Sequence, residues 1–237
     1  MHHARGWGTG MRLFSFLDLI ALIFFAGAWT TYAVMLEWTT LGRTGLTALM
    51  DRYRSAWMGQ MLAREARIVD SHILTSLHNG TAFFASTSLI AVGGALTLLR
   101  STEEIVTVMA ALPFGIETTR VQWEMKTMGL AVIFIYAFFK FAWAYRLFNY
   151  VAILFGATPP AAQKDSAEAQ AHARRTARLF AAAGRHFNRG QRAFFFALGY
   201  LGWFIGPLPL IATTAAVVLV LCWRQFASDS RQAVLEG

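Results

Sequence analysis

The sequence predicts an all-α integral membrane protein with four transmembrane helices, the second and fourth extended into the cytoplasm. Three observations predict it. Of 237 residues, 56% are hydrophobic and 14% charged, with a mean hydropathy of +0.45, which is too apolar for an ordinary soluble domain. Four apolar runs each reach the ~20 residues that cross a hydrocarbon core. Arg residues flank those runs, where the positive-inside rule expects them. The net charge of +8 is therefore a membrane signature, and no nucleic-acid partner is expected. The single Cys222 excludes an intrachain disulfide and any Cys-based metal cluster. Residues 1–237 are read as one membrane domain.

The first span covers 13–35, with Asp18 as its one ionisable residue. It exceeds the 7–15 residues of a signal-peptide core and is read as a retained helix. Residues 36–44 form a polar loop. A charged helix follows over 45–70, with Leu46, Met50, Tyr53, Trp57 and Met61 on one face and Asp51, Arg52, Arg64 and Glu65 largely off it. Either it rests on the membrane interface or it packs as an extension of the second span. That span covers 71–99 and follows without an obvious break. Residues 100–126 are a loop in which Pro113 and Gly115 stop any helix. The third span, 127–150, is strongly aromatic and contains Lys140. The linker 156–163 carries consecutive prolines, which end a helix. A basic, alanine-rich helix over 164–192 follows. Phe180, Phe187 and Phe194 recur every seven residues, and the stripe runs into the fourth span, 193–223. One long helix is expected there, kinked at Gly206-Pro207.

Orientation follows from counting. The segments 36–70 and 146–192 together hold thirteen Lys and Arg, and the segments on the other side hold seven. Four spans then place both termini on the periplasmic side of a bacterial inner membrane, with the two basic helical segments in the cytoplasm.

Asp51, Arg54, Trp57-Met58, Arg64, Arg67, Asp70 and Phe83-Phe84-Ala85-Ser86-Thr87 resemble the bacterial members of the domain-of-unknown-function 599 family. These are multi-span membrane proteins of about this length. The likeness is strongest over about fifty residues, and the plan of spans fits the whole chain. It implies the fold and brings no activity, cofactor or catalytic residue.

The second span places Asn79, Ser86, Gly93 and Arg100 on one seven-residue row and Thr75, Ala82 and Leu89 on the next. Small and polar rows let membrane helices approach closely and hydrogen-bond; the alternative is a face lining a hydrated path. Lys140 joins it, because a cation in a span needs protein, water or a snorkelling route to the headgroups. At ~1.5 Å per residue, Lys140 lies about 15 Å from the cytoplasmic end of its span, Asn79 about 10–12 Å, Ser86 about 21–22 Å and Tyr200 about 10 Å. Asn79, Ser86, Lys140 and Tyr200 are thus the candidate ligand or ion path. Arg54, Arg64, Arg67 and Asp70 form its cytoplasmic mouth, or else a solvated charge belt.

No Walker loop, HExxH or GxSxG is present, so no catalytic residue, metal site or cofactor is expected. The function expected is non-enzymatic: a homo-oligomeric inner-membrane protein in the lipid bilayer, acting as a channel or transport protein for an ion or small solute. The first alternative is an accessory or assembly subunit of a larger membrane complex. The second is a membrane enzyme or a haem-binding protein using His72, His78 and His186.

Overall fold

The computed structural model describes residues 14–111 and 118–235, and the described residues fold as helices joined by short turns. Pro113 and Gly115, expected to break a helix, lie outside them. Helix α1 is Phe16–Trp38. It starts at Ser15, whose hydroxyl accepts from the Asp18 amide while the Asp18 carboxylate accepts from the Ser15 amide. This reciprocal cap satisfies two otherwise orphaned donors. After a short turn come α2, Leu46–Leu62, and α3, Ile68–Arg100.

The charged lead-in and the second span are therefore two helices, not one. The backbone leaves the helix over 63–67 because its side chains find partners off the helix axis. Arg67 donates to the carbonyls of Thr158 (3.1 Å) and Pro159 (2.7 Å) in the distant linker. The predicted face of α2 is also rotated. Leu49, Met58, Met61 and Leu62 are buried, whereas Met50 and Tyr53 are exposed. Asp51 and Arg54 sit on the packed side, where each has an ionic partner.

The stretch expected to be a loop contains α4, Thr102–Ala111. Helix α5, Arg120–Gly156, is longer than the predicted 127–150 at both ends. Its start is fixed by a capping box between Thr119 and Gln122. The linker falls where Pro159 and Pro160 stand. Helix α6 is Ala167–Tyr200, capped by the Ser166 hydroxyl at the Ala169 amide. Then follow α7, Gly202–Ile205, α8, Pro207–Phe226, and α9, Asp229–Leu235.

The expected fourth span, 193–223, is a reversal rather than a kinked rod. Helix α8 folds back along α6: Gly199 faces Thr214 and Val217, Gly202 faces Thr213, and Arg224 lies over the Phe195 ring. The turn has a local cause. Pro207 cannot continue a helix but fits the first turn of a new one. The Thr213 hydroxyl then donates to the Gly199 carbonyl at 2.6 Å, tying the two helices together. With α6 running one way and α8 returning, α1 begins beside Trp203 and α8 ends beside Thr47, at opposite ends of the bundle.

Four helical stretches are long and apolar enough to cross a membrane: α1, α3, α5 and the C-terminal Pro207–Leu235 stretch containing α8. The molecule is a multi-pass membrane protein. Two cores are stacked along the long helices α3, α5 and α6. One is built from Phe25, Phe141, Phe196, Tyr200, Trp203 and Leu210 among others, between α1, α5, α6 and α8. The other joins Met58 and Met61 of α2 to Leu74, Phe148, Val151 and the alanine face of α6. The Phe180, Phe187, Phe194 stripe links them, with Phe180 in the second core and the other two against Phe84 and Phe141.

Candidate functional site

The structure does not gather the four predicted path residues within one chain. Asn79 and Ser86 lie on the exposed face of α3. The buried row of that helix is Asp70, Leu74, Thr81, Ser88 and Ala95, which also repeats every seven residues. The Thr81 and Ser88 hydroxyls donate to their own helix, at the carbonyls of Leu77 and Phe84. Lys140 is half-buried and holds its ammonium 5.0 Å over the Tyr136 ring, one turn away. Tyr200 is only 5% exposed and packs on Phe25 and Trp203. Of the histidines, His78 stacks on Tyr145 at 3.9 Å, and His186 faces Trp143 at 6.4 Å.

Lys140 is also at a different depth from the one expected. Helix α5 continues sixteen residues past it to Gly156, about 24 Å. The neighbouring Phe141 ring lies against Gly190. Lys140 is therefore level with Arg189 and Arg192, next to Gly190 on α6, and with Glu37 at the end of α1, which both arginines hold.

The four predicted mouth residues divide. Asp70 is fully buried and is held by Arg64 and by the Trp57 indole N–H at 2.5 Å. Arg67 fixes the linker as described. These three form the corner between α2, α3 and the linker. Arg54 faces elsewhere. It binds Asp51 at 2.5 Å, lies 5.6 Å over Phe180 and borders a cleft.

That cleft is polar and strongly basic. It lies where the end of α1 meets α2, α6 and α8. Two adjoining cavities of about 310 and 200 Å³ share Leu36, Thr47, Asn188, Arg192 and Gln225. Arg189 clamps Glu37 through two bonds, Nε to Oε1 at 2.9 Å and Nη2 to Oε2 at 2.5 Å. Arg192 adds a third, Nη2 to Oε1 at 2.7 Å. Asp51 receives Arg54 and, at 3.6 Å, Arg185. Five guanidinium groups, from Arg54, Arg185, Arg189, Arg192 and Arg224, thus surround two carboxylates. Arg185 is half exposed and weakly paired, and Arg224 lies over the Phe195 ring with no ion pair among the described residues. These two cations retain donors for an incoming anion, and a planar guanidinium suits a two-oxygen acceptor.

Sequence reasoning missed Glu37 and the basic row of α6 as a site, although a signal existed. Arg185, Asn188, Arg189 and Arg192 recur at spacings of three or four residues, which puts them on one helical face. It also missed Lys126, placed in a loop but in fact 6% exposed inside α5. The Lys126 ammonium lies 5.5 Å over the Trp203 ring. The Trp203 indole N–H in turn donates to Asp18 at 2.7 Å.

A family model described as "Protein of unknown function, DUF599" matches residues 20–230. The chain belongs to that family. No curated protein and no solved structure gives a significant match. The matched DUF599 region runs from the early part of α1 to the start of α9, so it takes in both cores and every residue of the cleft.

Proposed function

We propose that this DUF599 protein works without catalysis, as a homo-oligomeric inner-membrane protein that binds a small anion or polar solute and passes it across the bilayer as a channel or transport protein. The observation that carries the reading is the cleft, where five arginines outnumber two carboxylates. Preorganised arginines in a partly enclosed site favour an anion more than the same groups do in open water.

The cleft end of the bundle is assigned to the cytoplasm. Arg43, Arg52, Arg54, Arg64, Arg67 and the eight Lys and Arg of 146–192 lie there, now joined by Arg224 and Arg231. Among the described residues, the opposite end has only Arg100, Arg120 and Lys126. This imbalance is steeper than the one read from sequence, and it supports a reading with α1's start outside and α8's end inside.

The contact between copies is assigned to α3. Ser86 is exposed on a helix long enough to span, and Asn79 lies on the same face nearer the cleft end. Polar residues in spans turn to a helix partner more readily than to lipid. A path between copies would run along that face.

Binding of inorganic phosphate to the detergent-solubilised full chain tests the cleft. Arg185→Gln and Arg224→Gln should each weaken binding about three- to tenfold, the worth of one charge-assisted bond near a surface. Binding unchanged in both variants overturns the assignment. Sizing of the native assembly separates the alternative of an accessory subunit: a heterocomplex with no homo-oligomer favours that reading, and the exposed α3 face would then meet a different protein.

A further inference from the structure

We propose that the groove between α1 and α5 holds one acyl chain of an anionic phospholipid, with its phosphate at Lys140. The groove exists because α5 packs on α6 and α1 packs on α8 rather than closely on each other. Its floor is aromatic, with Trp29 stacked on Phe196 at 4.9 Å and meeting Tyr136 edge-on at 5.8 Å. Ala26, Thr30, Ala33 and Val34 form one wall, and Val132 and Tyr136 the other, around about 490 Å³.

Shape, length and charge agree on the occupant. The lining residues of α1 run from Phe25 to Trp38, a rise of about 20 Å. Half of a hydrocarbon core of ~30 Å is about 15 Å, so the groove suits one leaflet of acyl chain with its glycerol end. Small residues leave the space, and apolar ones make it suitable for a hydrocarbon.

The charge is at the correct end. Val132, Tyr136 and Lys140 follow one another at single-turn spacing along α5, so the wall of the groove leads to the ammonium. Both helices run in the same direction, and Lys140 is level with Glu37 at the end of α1. Glu37 lines that end of the groove, but its carboxylate is already held by Arg189 and Arg192. Among the described residues Lys140 makes no ion pair; its ammonium lies over the Tyr136 ring. A phosphate there would gain an unneutralised cation, and Trp38, 82% exposed at the same level, is the residue type that marks a headgroup boundary.

The test is native mass spectrometry of the full chain in detergent doped with phosphatidylglycerol or with phosphatidylcholine of the same chains. The wild type should retain phosphatidylglycerol about fivefold over phosphatidylcholine, the scale of one cation at a membrane surface. Lys140→Gln should remove that preference. Thr30→Trp, at an exposed groove position, should reduce retention of both lipids. Arg185→Gln, in the separate cleft, should leave lipid retention unchanged while weakening phosphate binding. Melting temperature without added lipid checks folding, and Lys140→Gln decides alone if Thr30→Trp is unfolded. No retained lipid, or a preference that survives Lys140→Gln, overturns the proposal. So does a Thr30→Trp variant that dissociates the oligomer without losing lipid, because a second copy would then occupy the groove.

Discussion

Asp70 shows how much one side chain can decide. Its carboxylate is buried, one oxygen is shared by Arg64 and Trp57, and the other has no partner among the described residues. Removing it leaves an indole N–H unsatisfied and an arginine half-stranded. Asp70→Ala should therefore destabilise the chain by about 2–3 kcal/mol, below the cost of breaking a fully buried pair because Arg64 is 46% exposed. Arg64→Ala should cost about 1 kcal/mol or less. Thermal unfolding of both variants in one detergent checks the order, and a larger loss for Arg64→Ala would contradict it. From sequence, Asp70 and Arg64 are visible as charges near a span. The indole that completes their site is thirteen residues from Asp70, and nothing in hydropathy connects them.

At the scale of elements, the contact between α5 and α6 depends on two glycines. A Cβ at Gly190 would stand 2.7 Å from the Phe141 ring, and one at Gly129 would meet the Tyr200 hydroxyl. Both rings are enclosed, Phe141 fully and Tyr200 to 95%, so neither can move aside cheaply. Gly190→Leu should lower stability by about 2–3 kcal/mol or separate the helices, as overpacking does. Gly156→Leu, with open space at its Cβ, is the control and should change stability by less than about 0.5 kcal/mol. Equal losses in both would remove the packing argument. The seven-residue aromatic stripe of α6 was legible because it is a property of one helix. The buried row of α3 was not. The polar row through Asn79 and Ser86 and the row through Thr81 and Ser88 have the same period, and only the position of α5 selects between them.

For the whole molecule, the reversal between α6 and α8 sets the topology. In a Cys222→Ser background, Ser230→Cys should react with a membrane-impermeant thiol reagent only from the cytoplasmic side. Glu104→Cys should react only from the outside. Labelling of both from one side would refute the topology. Ser86→Cys in the same background should form a cross-linked dimer on mild oxidation if α3 faces α3. A monomer that fails to cross-link in membranes would refute that contact.

By itself, the sequence determined the helical class, the membrane character, three of the spans and the linker. Each of these rests on composition, on the length of an apolar run or on consecutive prolines. Tertiary structure alone decided that 201–206 turns the chain around and that Lys126 is buried. It also decided that Glu37 meets Arg189 across 152 residues. A run of apolar residues states that a segment prefers hydrocarbon, but not which way it runs or which helix it meets. Those outcomes depend on how close two helices can approach, which glycines, Thr213 and the Pro207 turn settle together, and no local quantity along the chain contains them.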